Sequence, residues 1–255
     1  MLNQLKYLVG VICTIPLLPL MYIHGKQIRA KVPDLPEATG NTGITDATRK
    51  VDFQLITLGE STVAGVGVKT HSEGFTGTLA NTLADKLGKN IRWKVYAKSG
   101  ITAKRVPKEL IANITEKQAD LIVIGLGAND AFEGNSPYTW RKGIEQTIAR
   151  LRTKFPTTPI FFANMPPIKE FPAFTLLIKQ TVGNLVELHG KELQKIITNY
   201  STVFYNAEVL SLSNWLQGEL ANKTIHDFFS DGVHPSKLTY QAWAKDFAGF
   251  IERHT

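Results

Sequence analysis

From residue 51 onward the sequence predicts an α/β fold, a parallel sheet with helices on both faces. Two observations carry this expectation. Short runs apolar at every position recur, Leu121-Ile122-Val123-Ile124 most plainly, and such a strand is one buried between two layers. Between the runs, apolar residues return every three or four positions, the period of an amphipathic helix. Strand and helix in alternation mean crossover connections, which place the strands parallel.

Taken in order, Phe53–Leu58 is the first strand of this pattern. A helix follows with Phe75, Leu79, Leu83 and Leu87 on one face and Gly88 as its stop. Ile91–Tyr96 reads as a strand ending at Ser99-Gly100, and residues 121–124 as one ending at Gly125. Ile144, Ile148, Leu151 and Phe155 mark a helix stopped by Pro156, followed by a strand at Ile160–Ala163. A long helix carries Phe174, Ile178, Val182, Leu185 and Ile196, and a short strand lies near Val203–Tyr205. The last helix presents Trp243, Phe247 and Phe250, with Ser236 as its N-cap.

Ahead of this region the chain is different in kind. Tyr7 to Ile23 is almost entirely apolar, broken only by Gly10, Thr14, Pro16 and Pro19. That length suits a short membrane span or the core of a signal peptide. His24-Gly25-Lys26 follow where a cleavage site would need small residues, so residues 1–30 are expected to be an uncleaved membrane anchor. Secretion after signal cleavage is the alternative. The catalytic domain is expected on the extracytoplasmic side, but Lys26, Arg29 and Lys31 exceed Lys6 and the amino terminus by one charge and lean the other way. The side stays open. Residues 31–50, rich in Pro, Gly and polar side chains, read as a linker, and 51–255 as the catalytic domain.

The chain carries a net charge of +7, of which +2 falls within residues 1–40. No dense Lys/Arg block is interleaved with aromatics, which argues against a nucleic-acid partner. An anionic lipid surface or an anionic substrate suits such a domain better. Cys13 is the sole cysteine, so no disulfide forms within the chain, and Ile12 before it does not fit a lipid-attachment site.

Four stretches fall at strand ends or helix starts and carry the chemistry. They are Gly59-Glu60-Ser61, Ser99-Gly100, Gly127-Ala128-Asn129-Asp130 and Asp231-Gly232-Val233-His234-Pro235. Ligands bind beyond the carboxyl ends of strands in open α/β sheets. Ser61 attacks a carbonyl only if a base takes its proton, and His234 is the candidate base. Asp231, three residues earlier, is placed to orient the imidazole and stabilise its charged form. The N–H groups of Ser61 and Gly100 and the amide of Asn129 offer three oxyanion donors. Gly59 is expected to supply a turn that a side chain would forbid, and Gly100 a close approach to substrate.

With these blocks in this order, the chain resembles the SGNH hydrolases, the GDSL-like lipase and esterase superfamily, over about residues 51–252. The resemblance implies a flavodoxin-like three-layer α/β/α sandwich, ester hydrolysis, and no metal or cofactor. It carries the nucleophile onto Ser61, the oxyanion donors onto Gly100 and Asn129, and base and acid onto His234 and Asp231. Glu60 stands where the family has Asp, a mild change in a residue that does not attack.

Other motifs fail on spacing. Gly65-Val66-Gly67-Val68-Lys69-Thr70 lacks the glycine before lysine that a phosphate loop needs. Asp130 occupies the third-glycine position after Gly125-Leu126-Gly127. No Gly-x-Ser-x-Gly elbow occurs. His71, His189, His226 and His254 show no metal-ligand spacing and are expected at the surface or behind the site.

These residues specify an acyl-enzyme on Ser61 and leave the acceptor open. Water makes an esterase of lysophospholipase-like type and another alcohol an acyltransferase; a sugar O-acetyl esterase and a non-catalytic acyl- or glycan-binding module share the fold. The expected partners are a small-molecule or lipid acyl ester and a membrane contacted through residues 7–23. Phe132, Tyr138, Trp140, Phe171, Phe174, Trp215, Phe228 and Phe229 surround the blocks and are expected to wall an apolar acyl pocket, or else to pack the loops.

Overall fold

Residues 2–217 and 220–254 are described by a computed structural model; residues 1, 218, 219 and 255 lie outside the described residues. Strands β1 (Thr42–Ile44), β2 (Phe53–Gly59), β3 (Ile91–Ala97), β4 (Leu121–Gly125), β5 (Ile160–Phe162) and β6 (Val203–Tyr205) form one sheet in the order β1-β3-β2-β4-β5-β6. All neighbours are parallel except β1, which pairs antiparallel with β3 along the edge. Without β1, the order is the flavodoxin-like one, and its topological switch point falls at β2, the strand that ends in Glu60 and Ser61.

The helices in chain order are α1 (Leu2–Thr14), α2 (Leu18–Lys31), α3 (Phe75–Leu87), α4 (Val106–Glu109), α5 (Ala128–Phe132), α6 (Pro137–Lys154), α7 (Leu176–Ile197), α8 (Leu212–Leu216) and α9 (Lys237–Glu252). Side chains alternate across a strand, so adjacent residues of β2 and β4 enter different layers. Ile56, Leu58, Ile122 and Ile124 pack with Trp140, Ile144 and Leu193 of α6 and α7. Leu55, Leu121 and Val123 pack on the other face with Phe75, Leu79, Trp243 and Phe247 of α3 and α9. Each such side chain, removed from water, contributes about 1.5–3 kcal/mol, enough to hold β2 rigidly at its carboxyl end.

Helix ends follow their local chemistry. Gly88 takes a left-handed conformation (φ 65°) and closes α3. Ser236 caps α9 by accepting the Thr239 N–H, and Thr175 caps α7 by accepting from Ile178.

Two features differ from the sequence expectation. Thr42–Ile44, within the stretch read as a linker, forms the edge strand β1, and Thr45 and Asp46 beside it bind the buried Asn90 side chain. Of the two placements expected for the other histidines, at the surface or behind the site, the surface one fails for His71 and His189, at 5% and 0% exposed. His189 stacks on Trp140 at 5.0 Å and its Nε2 meets the Asn135 carbonyl at 2.8 Å. Burial drives its imidazole down to about 4, so it sits in the core as a neutral side chain, bonded at Nε2 and without a hydrogen-bond partner at Nδ1.

Candidate active site

The loop after β2 turns at Glu60-Ser61, where strand backbone gives way to a one-turn coil. Gly59 is needed there for space. It is not among the glycines with positive φ, but a Cβ on it would fall 2.3 Å from the Gly125 carbonyl and 2.4 Å from Val63 Cγ2. Close strand-to-loop packing, not a special turn, excludes a side chain. Gly100 is the reverse: open space surrounds it, and its φ of 74° is the left-handed conformation that favours glycine.

The segment from Ser230 to Ser236 meets the loop that follows Ser61 from the far end of the chain. Ser230 Oγ donates to the Gly67 carbonyl at 3.1 Å and Tyr240 Oη to Val66 at 2.8 Å, which anchors that segment to the Ser61 loop. Asp231 is held by three donors. Its Oδ1 accepts the N–H groups of Val233 (2.8 Å) and His234 (2.7 Å), and its Oδ2 lies 2.7 Å from His234 Nδ1. The Asp231 side chain is fully covered, whereas the imidazole is 23% exposed. Burial by itself would raise the Asp231 carboxyl, but hydrogen bonds from the His234 ring and the two backbone N–H groups outweigh it and hold the pKa below the usual carboxylate value. The acid therefore stays ionised, and with Nδ1 engaged, proton exchange falls to Nε2.

The Asn129 loop is fixed by residues to which sequence reasoning assigned no role. Glu60, 2% exposed, accepts the N–H of Ala128 at Oε1 (2.9 Å) and of Asn129 at Oε2 (3.0 Å). Asp130, 1% exposed, accepts the Ala103 N–H at 2.8 Å and the Asn135 side-chain amide at 3.0 Å. Asn129 donates one amide hydrogen to the Ile101 carbonyl at 3.1 Å, beside Gly100, and its second amide hydrogen is free for another acceptor. Glu60 thus ties the Asn129 loop to the Ser61 turn, and Asp130 ties it to the loop that follows Gly100. The signal was present as an acid next to each block, but nothing local says which backbone groups an acid will meet.

Burial pushes the Glu60 carboxyl up to about 7 despite the N–H groups of Asn129 and Ala128, and Asp130 up to about 6. A folded-state pKa above the unfolded value of 4.5 means that Glu60 stabilises the fold fully below about pH 4.5 and loses that contribution as pH rises through 7. Glu60→Gln removes this titration. Its melting temperature is expected to gain on the wild type between pH 5 and pH 8, by a margin equivalent to roughly 1–3 kcal/mol. A gap independent of pH would mean that Glu60 ionises normally.

Behind the turn lies a cavity of about 40 Å³, lined by Glu60 and Thr62 on either side of Ser61, by Pro235 next to His234, and by apolar side chains that include Leu126, Phe171, Trp215 and Phe229. Of the eight aromatics expected at an acyl pocket, Phe171, Trp215 and Phe229 line it. Trp140 and Phe228 are fully buried packing residues, Phe174 stacks behind Phe171 at 5.5 Å, and Phe132 and Tyr138 point outward at 46% and 56% exposure. Among the described residues no cluster of three or more His, Cys, Asp or Glu could hold a metal ion.

A family model for the GDSL-like lipase/acylhydrolase family matches residues 57–242. Among solved structures the chain is similar to TesA, with a TM-score of 0.59 at 18% identity, covering 79% of this chain and 99% of that one. It is also similar to the lipase/acylhydrolase from Enterococcus faecalis (TM-score 0.53, 19% identity, 79% and 96% covered). A carbohydrate esterase family 2 enzyme with a carbohydrate-binding domain, from Corynascus thermopiles, covers 88% of this chain and 68% of its own at a TM-score of 0.54 and 13% identity. No curated protein matches the chain. At these identities the solved structures speak for the fold.

Proposed function

The chain belongs to the GDSL-like lipase/acylhydrolase family and is an ester hydrolase, and from that premise we propose a serine esterase that works through an acyl-enzyme on Ser61. His234 Nε2 takes the Ser61 proton as Oγ attacks the ester carbonyl, then delivers it to the departing alcohol. Water, deprotonated by the same imidazole, releases the acid. Asp231 holds the ring and balances its charge. The N–H groups of Ser61 and Gly100 and the free amide hydrogen of Asn129 receive the oxyanion. The observation that carries this reading is the Asp231–His234 pair, which engages Nδ1 at 2.7 Å and leaves the other ring nitrogen for the serine.

Asn129→Ala is expected to lower kcat by about 10²–10³-fold with little change in KM, the cost of one oxyanion donor. A rise in KM alone would make Asn129 a ground-state binding residue.

The cavity beside Ser61 is apolar but small. The centre of a water-sized sphere can roam about 40 Å³ of it, where one water needs about 10–15 Å³, so it has room for the first several carbons of an acyl chain. Each methylene that enters contributes about 0.8 kcal/mol. Esters of about four to six carbons are therefore expected to lead acetyl esters in kcat/KM, with the advantage levelling off toward ten. The measurement is a chain-length series of chromogenic esters on the full chain in detergent. A steady decline from acetyl upward would instead favour a sugar O-acetyl esterase, and product transfer to added alcohols an acyltransferase.

We also propose that the chain associates with a membrane through its amino-terminal helix. Leu2–Lys31 includes an 18-residue window of mean hydropathy 1.8 that is not buried by the rest of the protein.

A further inference from the structure

Helices α1 and α2 follow one another through a single 3-10 turn at Ile15–Leu17, which holds Pro16, with Pro19 in the first turn of α2, and form one continuous helical arm. Its covered positions are Asn3 with Gln4, then Tyr7, Val11, Thr14, Met21, His24 and Ile28, which from Gln4 onward are spaced by three, four or seven residues, so one stripe faces the domain. That stripe is largely polar. Asn3 Nδ2 donates to Glu192 Oε2 at 2.7 Å, Tyr7 Oη to the Gly134 carbonyl at 2.8 Å, and His24 Nδ1 lies 3.0 Å from Thr175 Oγ1. Contacts at Glu192 of α7 near one end and at its cap Thr175 at the other set the arm antiparallel to α7, with α1 packed on that helix.

The outward face is the apolar one. Leu5, Leu8, Ile12, Ile15, Leu18 and Ile23 are each 49–69% exposed. Among the described residues, eleven of the seventeen exposed large hydrophobics belong to this arm, and Leu176 follows its contact point at Thr175. A surface helix in water docks its apolar stripe and shows its polar one. Here the order is inverted, as it is when the solvent beyond the helix is lipid. Beyond the apolar run stand Lys26, Arg29 and Lys31, all exposed, and Lys26 sits 5.1 Å over the Tyr22 ring. Basic groups and an aromatic ring at the edge of an apolar face match anionic headgroups at a membrane interface.

We propose that this arm lies in the plane of the bilayer surface and does not cross it, with its polar stripe clasped by α7 and its apolar face at the acyl-chain boundary. Reach decides between the two placements. From Asn3 to Ile28 the arm rises about 38 Å, more than the roughly 30 Å of the hydrocarbon layer. A crossing arm would carry one end to the side opposite the catalytic domain, yet both ends touch that domain. Ile28 packs against the cluster of Phe171, Phe174 and Ile178, on which Val233, adjacent to His234, also packs. The carboxyl end of the arm therefore packs on the same apolar cluster as the His234 segment, which brings an acyl ester held in the membrane surface near the candidate site. The inference rests on the membrane association proposed above and refines its geometry.

The native Cys13, exposed on the outer face, is a built-in probe position. The full chain is labelled there with an environment-sensitive fluorophore and bound to vesicles containing one-third anionic phospholipid. Leu5→Cys and Ile23→Cys, each in a Cys13→Ser background, report the two ends. Depth is read with lipids that carry a quencher at different levels of the acyl chain. The expected result is a blue-shifted emission at all three sites with the same shallow depth. A profile with Cys13 deepest and the ends near opposite surfaces would overturn the in-plane placement and leave the association standing. Failure of the protein to sediment with the vesicles would overturn both. Ester hydrolysis of a soluble substrate in detergent is expected to be unchanged in these variants, since the outer face touches no residue of the site.

Discussion

Ser61→Ala is expected to reduce kcat for a carboxylic ester by about 10⁵–10⁶-fold while the melting temperature stays within a few degrees of wild type. The loss is that of covalent catalysis: without Oγ no acyl-enzyme forms, and only the oxyanion donors and substrate binding remain. The fold should tolerate the change because Ser61 is half-buried at the end of β2, and the strand is held by Leu55, Ile56 and Leu58 at no more than 1% exposure, not by the serine. Steady-state hydrolysis, mass spectrometry for a trapped acyl group and a melting curve together check it. Wild-type turnover in a variant with an unchanged melting curve would remove Ser61 from the mechanism.

Asp231→Asn is the second large effect, about 10³–10⁴-fold in kcat with KM little changed. The geometry gives the reason. Oδ1 already accepts two backbone N–H groups, so an asparagine would place its carbonyl oxygen there and turn its NH₂ toward His234 Nδ1. An N–H donor at that position forces Nδ1 to accept, which moves the ring proton to Nε2 and leaves no lone pair for the Ser61 hydroxyl. The backbone turn survives, so the loss should appear in kcat and not in folding. Activity that falls less than tenfold would show that the carboxylate does not set the tautomer.

The elements that the sequence made legible were those whose cause is local. Phe75, Leu79, Leu83 and Gly88 mark α3 because helix period and C-cap are properties of neighbouring residues, and the structure ends α3 at Leu87. Residues 121–125 read as a buried strand because every position is apolar, and both faces of β4 are in fact covered. Edge strand β1 was not legible: three residues, Thr-Gly-Ile, have too little pattern, and Gly43 is there because a Cβ would strike the Trp93 ring at 2.3 Å. The acyl-pocket aromatics divided for a similar reason. Trp140 and Phe171 both stand near the candidate site in sequence, but only the direction of each side chain separates a core residue from a cavity wall.

The sequence by itself determined the family, the α/β alternation and the residues Ser61, Gly100, Asn129, Asp231 and His234 as the candidates for chemistry, because residue type and order along the chain are enough for each. Tertiary structure alone decided what holds them. That Glu60 receives the Ala128 and Asn129 N–H groups, 68 and 69 residues away, depends on β2 and β4 lying side by side in register. That the apolar arm keeps its apolar face exposed while Asn3 binds Glu192, 189 residues distant, depends on α7 bringing that carboxylate to the arm. Hydropathy along the chain measures how apolar a segment is, whereas its placement is set by hydrogen-bond partners that only the folded domain brings within reach.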